Sequence, residues 1–112
     1  MRKLICLFGI LTTFASAAEI NGYLLDKSCA DEDGKKPGFA AKHQKSCLQM
    51  KPCADTGYGV MTDDLKFFTF DRNGNAMAAK LIAGLKKTDE IKVAVTGDVQ
   101  GESIRVAKVV LR

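Results

Sequence analysis

The sequence predicts an all-β domain with one helix: a small five-stranded barrel with a long Cys- and His-bearing insertion between strands 1 and 2. Three observations predict it. Five short runs of alternating or aromatic-rich apolar residues are bounded by Gly, Asn and Asp turn signals. Between the third and fourth runs the apolar spacing changes to a helical period. The stretch 27–56, which holds three of the four cysteines, the single histidine and both prolines, has no strand pattern at all. With 112 residues, 46% of them hydrophobic and 27% charged, the chain has room for one domain and the composition of a globular one.

Residues 19–25 (Glu-Ile-Asn-Gly-Tyr-Leu-Leu) read as the first strand, with Gly22 at a bulge or bend. Residues 58–62 form a short second strand and 65–70, rich in Phe, a third, with Asp63-Asp64 as the hairpin turn between them. The breaker Asp71-Arg72-Asn73-Gly74 precedes a helix over 76–85. Asn75 is its expected N-cap, and Met77, Leu81 and Leu85 form its apolar face. Residues 91–99 and 103–111 alternate as strands four and five around Gly101, with Ile104, Val106 and Val109 inward. Three strands, a helix and two more strands is the element order of the OB-fold, a five-stranded Greek-key barrel.

The amino-terminal segment reads as an address. Arg2 and Lys3 precede an apolar run over 4–14, and Ala15-Ser16-Ala17 supplies the small residues of a signal-peptidase site. A run of about eleven residues is shorter than the roughly 20 that a membrane-spanning helix needs, so no membrane anchor is expected. The reading is a signal peptide over 1–17 and a barrel domain over 18–112, exported to the periplasm or secreted. Cys6 leaves with the leader, and loss of Arg2 and Lys3 lowers the formal charge from +4 to +2. So mild a charge on an exported chain argues against nucleic acid as a partner.

The mature chain keeps Cys29, Cys47 and Cys53, an odd number in an oxidising compartment. At most two can pair internally. The third is free, bound to a ligand, or bridged to another copy in a disulfide-linked dimer. Pro37-Gly38 can open a helix over 39–50 that Pro52 ends, placing Phe39, His43, Cys47 and Met50 on one face. Cys29, His43, Cys47 and Cys53 then have the number and type for a four-coordinate soft-metal site. Three thiolates with an imidazole suit zinc, and Met50 on the same face tilts the choice toward copper. The competing reading is structural: one disulfide (29–47, 29–53 or 47–53) staples the insertion onto the barrel as a cap. A third gives the unpaired thiol a redox role, with Lys42, Lys45 and Lys51 nearby.

Other chemistry is excluded by spacing. Neither Cys-x-x-Cys nor Cys-x-x-Cys-His is present, which removes thioredoxin-type exchange and c-type haem. Asp71, Asn73 and Asn75 open like a calcium loop, but the twelfth position is Ile82, which cannot ligate. No spacing sets up a Ser nucleophile with His43, and Gly57-Tyr58-Gly59 lacks the strand-to-helix setting of a nucleotide loop.

A resemblance adds to this. Gly22-Tyr23-Leu24-Leu25-Asp26-Lys27-Ser28-Cys29, His43-Gln44-Lys45-Ser46-Cys47, Met50-Lys51-Pro52-Cys53, Gly57-Tyr58-Gly59-Val60 and Val95-Thr96-Gly97 are similar to small exported bacterial proteins of OB-like type. Asp-x-x-Cys followed by His-x-x-x-Cys is the most specific element. The resemblance implies the fold and export and carries over no catalytic residue. The expectation is therefore a non-enzymatic exported module whose Cys/His loop holds a copper or zinc ion. The alternative is a disulfide-stapled interaction protein of the cell envelope.

Overall fold

The computed structural model describes residues 17–112; the expected leader over 1–17 lies, all but its last residue, outside the described residues. Five strands form one sheet: β1 (Ala18–Asp26), β2 (Tyr58–Met61), β3 (Phe67–Phe70), β4 (Lys92–Gln100) and β5 (Ser103–Leu111). They pair in the cycle β1–β2–β3–β5–β4 and back to β1, a closed barrel. β1 is shared between two neighbours. Its first half, Ala18 to Tyr23, runs antiparallel to β4, and its second half, Tyr23 to Asp26, antiparallel to β2. The ring closes through a short parallel contact, Thr69 with Ser103 and Phe70 with Ile104.

The change of partner at Tyr23 requires a close backbone approach just before it. A Cβ at Gly22 would collide with the Met61 carbonyl and the Val60 side chain. Gly22→Ala must therefore push strands apart, and we expect a loss of about 1–3 kcal/mol, read as a lower urea midpoint with unchanged slope.

The chain carries five helical segments among the described residues rather than one. Four lie in the insertion: α1 (Lys27–Asp33), α2 (Phe39–Lys42), α3 (Lys45–Gln49) and α4 (Lys51–Ala54). The fifth, α5 (Arg72–Ala83), joins β3 to β4. The α5 helix starts four residues earlier than the sequence suggests because its N-cap is Asp71. The Asp71 carboxylate accepts from the Gly74 amide at 3.0 Å and from the Val106 amide of β5 at 3.2 Å. Asn75, the expected cap, instead accepts from the Tyr58 amide at 2.8 Å and secures the start of β2. The buried face of α5 is Gly74, Ala78 and Ile82, continued by Leu85, whereas Met77 and Leu81 are only partly buried.

The barrel core joins Leu24, Val60, Phe70, Val93, Val95 and Ile104 to Ala78 and Ile82 of α5. Ile104 and Val106 face inward as expected, and Val109 packs at the margin. A second cluster lies on the outside of the barrel, where Leu25, Ala30 and Met61 are covered by Phe39, Ala40 and Phe67. Alternation along β1 sends Leu24 into the barrel and Leu25 outward under the insertion, so both are solvent-inaccessible. The β2–β3 connection is wider than a two-residue turn. It runs over 62–66, closed by Thr62 N–H to the Lys66 carbonyl at 2.9 Å, with Leu65 at φ 65°. Among the described residues no helix is long and apolar enough to cross a membrane.

Candidate metal centre

The continuous helix expected over 39–50 is broken, and the break builds the site. A helical bond from the Lys45 amide to the Ala41 carbonyl would carry the helix through residue 43. Both groups are engaged elsewhere: Lys45 N–H donates to the Thr88 carbonyl at 2.7 Å, and the Ala41 carbonyl accepts from Glu90 N–H at 2.8 Å. His43 is left extended, at φ −66° and ψ 133°, between α2 and α3. The shared face of Phe39, His43, Cys47 and Met50 therefore does not form. Met50, itself extended, caps the start of α4 and is 54% exposed. Its thioether has no part in the site, which removes the argument for copper that rested on it.

Extended geometry turns His43 inward. Its Nε2 lies 2.8 Å from Asp26 Oδ1, with Asp26 fully inaccessible and His43 7% exposed. The His43 ring also packs on Phe39, ring centroids 5.0 Å apart. Asp26 is the last residue of β1 and the N-cap of α1. Its Oδ2 accepts from the Cys29 amide at 3.0 Å and from the Ser28 hydroxyl at 2.7 Å. Burial pushes the Asp26 carboxyl up, but the hydrogen bonds from Ser28, His43 and Cys29 outweigh it and hold the group below its ordinary value. It is a carboxylate at neutral pH.

The N-cap geometry brings Cys29 onto the same spot, because the residue whose amide binds an N-capping carboxylate sits one turn into the helix. One ligand atom each from Asp26, Cys29 and His43 lie within 4.8 Å of one another. Burial, the Asp26 carboxylate and the nearby Cys53 push the Cys29 thiol up to about 12. Tyr58, paired with Asp26 across β1 and β2, is raised too, by burial and then by the negative charge of Asp26 and Cys53. Its hydroxyl donates to the Leu48 carbonyl at 2.8 Å.

Of the four residues picked from sequence, the structure brings Cys29 and His43 together. Helix α4, which carries Cys53, packs on α1, which carries Cys29: Ser28 N–H donates to Thr56 Oγ1 at 3.1 Å, and that hydroxyl donates to the Cys53 carbonyl at 2.7 Å. Neither Cys47, half-buried on α3, nor Cys53 is among the clustered ligand atoms. Asp26 was missed. Its signal is an acidic residue directly after two apolar strand residues and three before a cysteine, an N-cap spacing that delivers a carboxylate and a thiol to one point.

A buried carboxylate, an imidazole and a protonated thiol in mutual contact form a preorganised donor set of mixed O, N and S character. A cation held by these three residues would balance the buried Asp26 charge and would take the place of the Cys29 thiol proton. The same environment opposes nucleophilic catalysis by Cys29, since reactive cysteines have depressed pKa values. Comparison with family profiles, curated proteins and solved structures finds no match.

Proposed function

We propose that this protein is a small exported, non-enzymatic binding module of OB-like type that holds one zinc ion through Asp26, Cys29 and His43. The observation that carries the reading is the convergence of those three ligand atoms, two of them on solvent-shielded side chains. Oxygen, nitrogen and sulfur ligands together are characteristic of zinc, which tolerates all three. The carboxylate is a poor ligand for Cu(I), and with Met50 out in solvent the ligand set favours zinc over copper. Hydrogen bonds from Ser28 and the Cys29 amide orient the carboxylate, as outer contacts commonly do for metal ligands. Export rests on the leader pattern of the sequence.

The test is metal uptake by chelator-treated, reduced protein. We expect one zinc per chain, with protons released on binding, read by calorimetry in buffers of different ionisation enthalpy. His43→Ala lowers affinity by about 10–100-fold or more, whereas Cys47→Ser leaves it unchanged. Equal zinc uptake by the wild type and His43→Ala counts against the site.

A further inference from the structure

We infer that the cleft between the insertion and the β2–β3 hairpin is a docking groove for an extended peptide segment, which adds as a short strand to the open edge of β3. The inference does not depend on the zinc reading. The cleft measures about 1260 Å³, larger than the roughly 300–1,000 Å³ of a small-molecule pocket. Its walls are α1 with the segment 33–37, the strand β3, and the β4–β5 turn at Gly101. The hydrogen-bond pattern identifies the open edge. Opposed residues of an antiparallel pair alternate between bonded and non-bonded. Thr62 N–H donates to the Lys66 carbonyl, so Lys66 and Phe68 direct their backbone groups at β2, and Phe67 and Thr69 direct theirs to the opposite edge. Thr69 N–H is taken by the Glu102 carbonyl at 2.9 Å, and pairing with β5 begins there. One step earlier the chain has left the edge at Gly101, φ 63°, where an added Cβ would meet nothing within 4 Å. The Phe67 N–H and C=O therefore face the cleft, with neither neighbouring strand to take them.

The lining chemistry selects the occupant. Four lysines and four carboxylates line the cleft, and Lys27–Asp31 and Lys36–Asp33 are already paired at 2.6 and 2.8 Å. A balance of zero offers no field to a polyanion. Half-buried Phe67 and the 43% exposed Leu65 form an apolar strip beside the free backbone groups. A strand laid along this edge takes up the Phe67 N–H and C=O with its own main chain and sends alternate side chains over the Phe67 ring. Main-chain bonds supply the affinity, and the apolar strip supplies a preference for β-branched and aromatic residues.

The test selects phage-displayed random heptapeptides on the immobilised protein and then titrates the enriched peptides into isotope-labelled protein, followed by NMR. We expect enrichment of β-branched and aromatic residues, shifts at Leu65, Phe67 and Gly101, and amide exchange at Phe67 slowed by about 10-fold or more. N-methylation of the peptide residue that bonds to Phe67 should weaken binding by about 10-fold, and methylation of the next residue should not. Phe67→Pro removes the donor without touching the ladder to β2, and it should abolish binding. Because that variant also removes the ring, the methylated peptides on unaltered protein decide the case. Selection that enriches nothing overturns the inference, as do shifts that fall outside the cleft or equal losses from methylation at adjacent positions. Chitotetraose and maltoheptaose should leave the same amides unmoved. A sugar that shifts them where no peptide does gives the cleft to another class of ligand and overturns the peptide assignment.

Discussion

Asp26→Ala should be among the most destabilising single substitutions in this protein, at roughly 3–5 kcal/mol by chemical or thermal unfolding of the metal-free form. Three losses coincide at one side chain. The α1 helix loses its N-cap, a contribution of about 1 kcal/mol by itself. His43 keeps its buried position but loses its partner, and the Ser28 hydroxyl loses its acceptor. A small domain has only about 5–15 kcal/mol of stability in total, so the expected shift is a large fraction of the whole. Asp26→Asn keeps the shape and can still accept from the Cys29 amide, and it should cost less. A loss below about 1 kcal/mol for Asp26→Ala would show that the carboxylate does not organise the insertion.

The pH dependence has a definite sign. The Asp26 carboxyl sits below its ordinary value of 3.8 in the folded chain. The folded state therefore binds this proton more weakly than the unfolded state does. Its contribution is fully present above 3.8 and is lost as pH falls through that value and below it. Asp26→Asn should flatten this acid limb of the stability profile, measured as unfolding free energy from pH 6 downward.

Zinc should raise the melting temperature of the reduced protein substantially. An ion that binds only the folded chain at one hundred times its dissociation constant contributes about 2.7 kcal/mol. For a domain near one hundred residues each kcal/mol is worth about 4–8 °C, so an increase of roughly 10–20 °C is expected. The increment, not the starting temperature, is the diagnostic. It should fall to about half or less in His43→Ala and Cys29→Ala, although both begin from different baselines, and persist in full in Cys47→Ser. A scan in which zinc leaves the melting temperature of the wild type unmoved would remove the metal centre.

The strand pattern was legible because it is local. Alternating apolar residues and the Gly101 turn mark β4 and β5 almost to the residue, and the aromatic run marks β3. Helix α5 was legible in kind but not in phase. Asp71 and Asn75 are both competent caps, and which one serves depends on the Val106 amide and the Tyr58 amide that each finds in the folded chain. The insertion was legible least. A helix over 39–50 satisfies every local preference, and it is interrupted because Thr88 and Glu90, more than forty residues away, take the backbone groups it needs.

By itself the sequence determined a barrel-sized set of five strands, a Cys- and His-bearing insertion between the first two, and four candidate ligands there, Cys29, His43, Cys47 and Cys53. Those properties follow from side-chain period and residue type, which act over a few neighbours. Only the tertiary structure decided that Asp26 is the third member, that Cys47 and Cys53 are not, and that Met50 is exposed to water. Such choices depend on backbone hydrogen bonds made across the fold. A buried polar group takes whichever partner the packing brings within about 3 Å, and spacing along the chain does not encode that distance.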